Sequence, residues 1–203
     1  IRTVADLRGR RVAVGMATSG MVQHAHTIFG VLGISFSDFT PVYLDFAAGA
    51  DALVAGEVDA QFQCPIPNKV MTDLAERTAV RVLPYAAGDL DRVMKAVSFY
   101  RPVVMRKGAF RGLDQDVTQA AVVNILATHA RMSEATVRGV VAAILSNVTE
   151  LGRLNPLFTG LGALFEPLRK EGAAALAFGG VALHPGALAA YRDAGLLPRA
   201  GAE

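Results

Sequence analysis

Two hydrophobic periods alternate along the first hundred residues. Val12-Ala13-Val14 is a short all-apolar run broken by Gly15, and Met21, Ala25, Ile28, Phe29 and Leu32 then follow at helical spacing. Gly33 stands where a left-handed residue ends a helix. The pattern repeats with a strand over Thr40–Leu44 and a helix from about Ala47 to Ala55 stopped by Gly56. A strand over Val58–Gln63 leads to a helix from about Asn68 to Arg77. A strand over Val80–Leu83, ended by Pro84, leads to a helix from about Asp89 to Phe99. Such alternation with short connections predicts an α/β fold with a mainly parallel sheet flanked by helices on both faces.

The second half is less regular. Tyr100–Asp116 is irregular and rich in glycine and basic residues, and Ala120–Ala127 reads equally as strand or buried helix. Ser133 caps a predicted helix whose apolar face is Val137, Val140, Val141, Ile144, Leu145 and Val148. Beyond Gly152 the chain is rich in Gly, Ala and Leu and predicts loose helical packing. It closes on a helix initiated by Pro185, running to about Ala194 and stopped by Gly195.

Composition narrows the function. At 203 residues, with 52% hydrophobic and 19% charged side chains, the chain can bury a real core as one large domain or two small lobes. A net charge of +2, no Trp and four Tyr supply neither a basic field nor stacking platforms, so no nucleic-acid partner is expected. Cys64 is the sole cysteine, which precludes an intrachain disulfide. No apolar run reaches the roughly 18–20 residues of a membrane span. The chain opens on Ile1 with no signal peptide and is read as mature, trimmed or partial.

Two loops concentrate the candidate chemistry. Between Gly15 and Met21 a strand delivers small residues to a helix start at Thr18-Ser19-Gly20, where unpaired backbone N–H groups and the helix dipole suit an anion such as a carboxylate. No Lys follows the last glycine and only Gly15 and Gly20 are present, which disfavours phosphate and dinucleotide sites. The second loop, Gln61-Phe62-Gln63-Cys64-Pro65-Ile66-Pro67-Asn68, also lies beyond the carboxyl end of a predicted parallel strand. Ligands bind at that edge in open α/β sheets, and Gln63 and Asn68 offer amide hydrogen bonds. Catalytic sets are missing by contrast. His24 and His26, two apart on a helix, make a poor metal pair. Ser19 has no nucleophile elbow, and Cys64 has no evident His and Asn partners and reads as a small buried apolar residue. Binding is favoured over chemistry, with no metal or cofactor expected.

The run Asp6-Leu7-Arg8-Gly9-Arg10-Arg11-Val12-Ala13-Val14-Gly15 resembles the corresponding segment of TAXI-type solute-binding proteins of TRAP transporters. Thr18-Ser19-Gly20-Met21 sits where that family shows Gly-Ser-Gly-Thr. Asp51-Ala52-Leu53 with Gly56-Glu57-Val58-Asp59-Ala60, Pro65-Ile66-Pro67-Asn68 and Val80–Leu83 are similar to its later segments. So are Lys107-Gly108-Ala109-Phe110 with Asp116-Val117, and Leu183-His184-Pro185-Gly186-Ala187 with Tyr191 and Gly195-Leu196. The matches follow the family's order over the whole chain.

That resemblance implies a type II periplasmic-binding fold in which two lobes close on a small anionic solute, a carboxylate or an acidic amino acid such as glutamate. It implies no catalytic activity, a periplasmic monomer, and presentation of the solute to the permease subunits of a TRAP transporter. Thr18, Ser19, Gly20 and Met21 would line the cleft from the helix start, Gln63, Pro67 and Asn68 from the second loop, and Tyr43 and Phe46 would form an apolar wall. Met21 replaces the family's usual Thr and removes a hydroxyl. Family members carry on the order of a hundred further residues before this point. Residues 1–98 are therefore expected to form most of the second lobe and residues 99–203 a return crossover and part of an incomplete first lobe. Two other readings share the fold class: the ligand-sensing effector domain of a regulator, and an enzyme with a His or Cys facing the cleft.

Overall fold

Strand β1 (Arg11–Ala13) is the centre of a three-stranded parallel sheet, ordered β2-β1-β3, with β2 (Thr40–Val42) and β3 (Ala60–Gln61) on its flanks. The computed structural model describes residues 1–63, 68–155 and 158–198. These residues cluster into two compact units, Ile1–Val123 and a second beginning at Asn124. The first unit holds both the parallel sheet and a two-stranded hairpin. Its hairpin of β4 (Arg101–Met105) and β5 (Val117–Ala121) packs on helix α4 (Asp89–Ala96), and Ala120 and Val122 join the core around α1.

Alternation along β1 explains the layers. Val12 and Val14 face one side, packed with Val22, Ala25, Ile28 and Phe29 of α1 (Gly20–Val31) and with Val93 of α4. Ala13 faces the other, against Ala52 of α2 (Phe46–Ala55) and Val58. Helices thus cover both faces, as the strand–helix alternation predicts. Helix α3 (Lys69–Arg77) buries Met71, Leu74 and Ala75 in a separate cluster with Met105, Phe110, Leu113 and Val117. A charged clamp ties β1 to the turn before β3. Arg11 grips both carboxylate oxygens of Asp59, at 2.7 and 3.1 Å, and donates its own amide at 2.8 Å. These hydrogen bonds hold the Asp59 pKa down to about 2.

Two expectations need correction. Val80–Leu83 forms no strand. Val80 and Val82 pack on the α3 cluster and Leu83 on the α1 core, so their side chains are half-buried without a backbone ladder. Within the stretch expected to be irregular, Arg101–Met105 is a strand, paired antiparallel with β5 so that Met105 opposes Val117. Ala120–Ala127 is strand only as far as Ala121.

In the second unit, α5 (Glu134–Ser146) starts at the Ser133 cap, whose hydroxyl accepts from the Thr136 amide at 3.1 Å. Helix α8 (Pro185–Asp193) packs against it. Between them in sequence lie short helices, among them α6 (Val148–Leu154) and α7 (Glu166–Glu171), with several 3-10 turns, in keeping with the loose packing expected there. The core is Leu168, Ala187, Tyr191, Leu196 and Leu197.

Candidate functional site

Parallel pairing brings the carboxyl ends of β1, β2 and β3 to one edge of the sheet. The loops leaving that edge run into the N-termini of α1, α2 and α3, each closed by a side-chain cap. The Ser19 hydroxyl accepts from Val22 N at 3.4 Å, an Asp45 carboxylate oxygen from Ala48 N at 2.8 Å, and the Asn68 side-chain oxygen from Met71 N at 2.9 Å. Asp45 already compensates the positive end of α2. Neither α1 nor α3 has an acid in its first turn, so an anion is favoured at those two.

The β1–α1 turn is shaped by Gly15, buried at φ +94°. Ser19 closes it, donating both its amide (2.9 Å) and its hydroxyl (2.7 Å) to the Met16 carbonyl. Because that hydroxyl donates to Met16 and accepts from Val22, Ser19 shapes the turn rather than offering a proton outward. Thr18 and Gly20 are exposed, whereas the Met21 side chain is buried beneath Gly15. The groups this loop offers a ligand are backbone amides. Those of Gly20 and Met21 make no bond to another described residue.

At β2, Tyr43 is exposed and Phe46 half-buried. At β3, Asn68 donates to the Gln63 side-chain oxygen at 3.3 Å, joining the two predicted amides. Pro67, with Cys64, Pro65 and Ile66, lies outside the described residues. The structure gives a role to Gln61, the first residue of this loop, to which the sequence assigns no hydrogen bond. Its Nε2 donates to the Phe46 carbonyl at 2.9 Å, and its amide lies so close to Gly49 that a Cβ there would fall 2.5 Å from Nε2. A polar residue next to the end of an otherwise apolar strand was the signal available.

The two histidines diverge. His26 is exposed and stacked on Phe36, with ring centroids 3.5 Å apart. His24 is half-buried, its Nδ1 2.7 Å from the hydroxyl of buried Tyr100. Burial holds the His24 pKa below the usual 6.5. A lowered pKa means that the unfolded chain takes up the proton first, so the contribution is complete above pH ~6.5 and is lost as pH falls through the folded-state value. Wild-type protein is expected to lose thermal stability more steeply than His24→Gln between pH ~7 and ~5, measured by circular dichroism. Parallel slopes would contradict it.

A parallel sheet with helices on both faces and anion-favouring helix starts at its carboxyl edge is consistent with a periplasmic-binding-protein-like α/β fold. The chain belongs to the NMT1-like family, whose model matches residues 1–195. This is a family of solute-binding proteins that generally work outside the cytoplasm, and a binding-protein rather than an enzyme family. No helix among the described residues is long and apolar enough to cross a membrane.

Proposed function

We propose that the chain is a solute receptor of TAXI type, serving a TRAP transporter, and that it binds a small carboxylate or an acidic amino acid such as glutamate. The observation that carries this reading is the α1 N-terminus. It has no acid in its first turn, no partner among the described residues for the Gly20 and Met21 amides, and a place at the carboxyl edge of a parallel sheet. A carboxylate there would accept two amide hydrogen bonds and meet the positive end of the helix dipole. Thr18, Ser19, Tyr43, Phe46, Gln63, Pro67 and Asn68 would complete the surroundings, with Ser19 acting through the turn it closes. Residues 1–98 would be the body of the solute-binding lobe, and the remainder the return crossover and part of the other lobe. The protein would act as a periplasmic monomer without catalysis, and tighter binding by its closed state is what the permease subunits would read.

Thermal unfolding in a panel of L-glutamate, succinate and 2-oxoglutarate tests this. At about a hundred times Kd a solute should stabilise the protein by about 2.7 kcal/mol, a rise of several degrees in midpoint. No rise with any carboxylate at millimolar concentration would overturn the proposal.

A further inference from the structure

Gln61 and Gln63 are each half-satisfied. Gln61 donates through Nε2 to the Phe46 carbonyl, yet its Oε1 is buried with no partner among the described residues. Gln63 accepts through Oε1 from Asn68, yet its Nε2 is buried with no partner among the described residues. Turning the amides over does not help. A reversed Gln61 would set its oxygen against the Phe46 carbonyl, and a reversed Gln63 would set two NH₂ groups face to face. The oxygen and nitrogen of each amide are therefore assigned, and the orphans are one acceptor and one donor, two residues apart at the edge where ligands bind in such sheets.

A buried polar atom without a partner loses its hydration and gains nothing, so it calls for a group that completes it. We infer that the solute supplies a hydrogen-bond donor to Gln61 Oε1 and an acceptor to Gln63 Nε2. The solute is then an acid that also bears an N–H or O–H group, an amino acid or a hydroxy acid. An ionised plain dicarboxylate has only acceptors and would leave Gln61 Oε1 unpaired. Both orphan atoms are buried, so contact needs the amides to swing. Gln63 is only half-buried and its bond to Asn68, at 3.3 Å, is long, which makes that exchange cheap. The inference rests on the solute-binding reading of this edge.

Calorimetric titration of the full chain with L-glutamate, L-2-hydroxyglutarate and glutarate separates the possibilities, since the three share a five-carbon dicarboxylate and differ in the 2-substituent. L-Glutamate or L-2-hydroxyglutarate is expected to bind about tenfold or more tighter than glutarate, and which of the two does so tells an ammonium from a hydroxyl donor. In Gln61→Met that ratio is expected to fall to within about threefold. Glutarate binding the wild type as tightly as both others would overturn the inference while leaving the carboxylate site standing. A preserved ratio in Gln61→Met would overturn the part assigned to Gln61. No binding of any of the three would overturn both readings. The wild-type comparison stands even if Gln61→Met does not fold.

Discussion

Gly15→Ala is expected to destabilise the Ile1–Val123 unit by about 2–5 kcal/mol, lowering its thermal midpoint by on the order of 10 °C. Two costs combine. The residue sits at φ +94°, where an L side chain is strained by roughly 1–2 kcal/mol. A Cβ there would also lie 2.5 Å from the Met21 Cβ and 2.9 Å from the Ser19 hydroxyl. Neither neighbour can step aside cheaply, because Met21 is in the core and Ser19 is held by three hydrogen bonds within the turn. Gly20→Ala is the matched control: its φ is not positive and a Cβ there meets nothing within 4 Å. It should leave stability within about 0.5 kcal/mol. Equal midpoints for the two variants would show that the turn does not depend on Gly15.

Gly186→Ala is expected to have an effect of similar size in the second unit. Gly186 lies in the first turn of α8, where its Cα lies against the backbone of α5. An added Cβ would collide with the Glu134 carbonyl, lie 2.9 Å from the Arg138 amide and 3.0 Å from the Val137 Cβ. Backbone cannot rotate away, so the helices must separate, at a cost of about 1–3 kcal/mol or more. The core that would absorb this is small, centred on Leu168, Ala187, Tyr191, Leu196 and Leu197. Hydrogen exchange in α5 and α8 should therefore accelerate about tenfold or more, one decade per 1.4 kcal/mol, while β1 and α1 stay protected. Gly139→Ala, in α5 with open space around it, should be neutral or stabilising by about 0.5–1 kcal/mol. Unchanged exchange in Gly186→Ala would mean that the two helices do not meet as described.

The legible parts of the fold were those whose information is local. Gly33 and Gly56 mark helix ends, and Ser19, Asn68 and Ser133 cap the helices whose starts their side chains suggest. β4 was not legible, because Arg101-Pro102-Val103-Val104-Met105 lacks clean alternation and owes its strand form to pairing with β5. Val80–Leu83 misled for the converse reason, since β-branched residues can serve a core without joining a ladder. The loops of the candidate site were visible as strand-to-helix turns, but the roles within them were not. The turn spends the Ser19 hydroxyl internally, buries the Met21 side chain and leaves the Gly20 and Met21 amides without a partner among the described residues. Gln61 stands in the second candidate loop, but its role was not legible because its place depends on the small size of Gly49, twelve residues away in sequence.

Titration of ¹⁵N-labelled protein with L-glutamate, read at the backbone amides of Gly20 and Met21, bears most directly on the anion site at the α1 N-terminus. Both resonances should move downfield along one saturable curve as a carboxylate accepts their hydrogen bonds, while α8 amides stay in place. Saturable shifts confined to residues away from the carboxyl edge of the sheet, or none at millimolar L-glutamate, would contradict it.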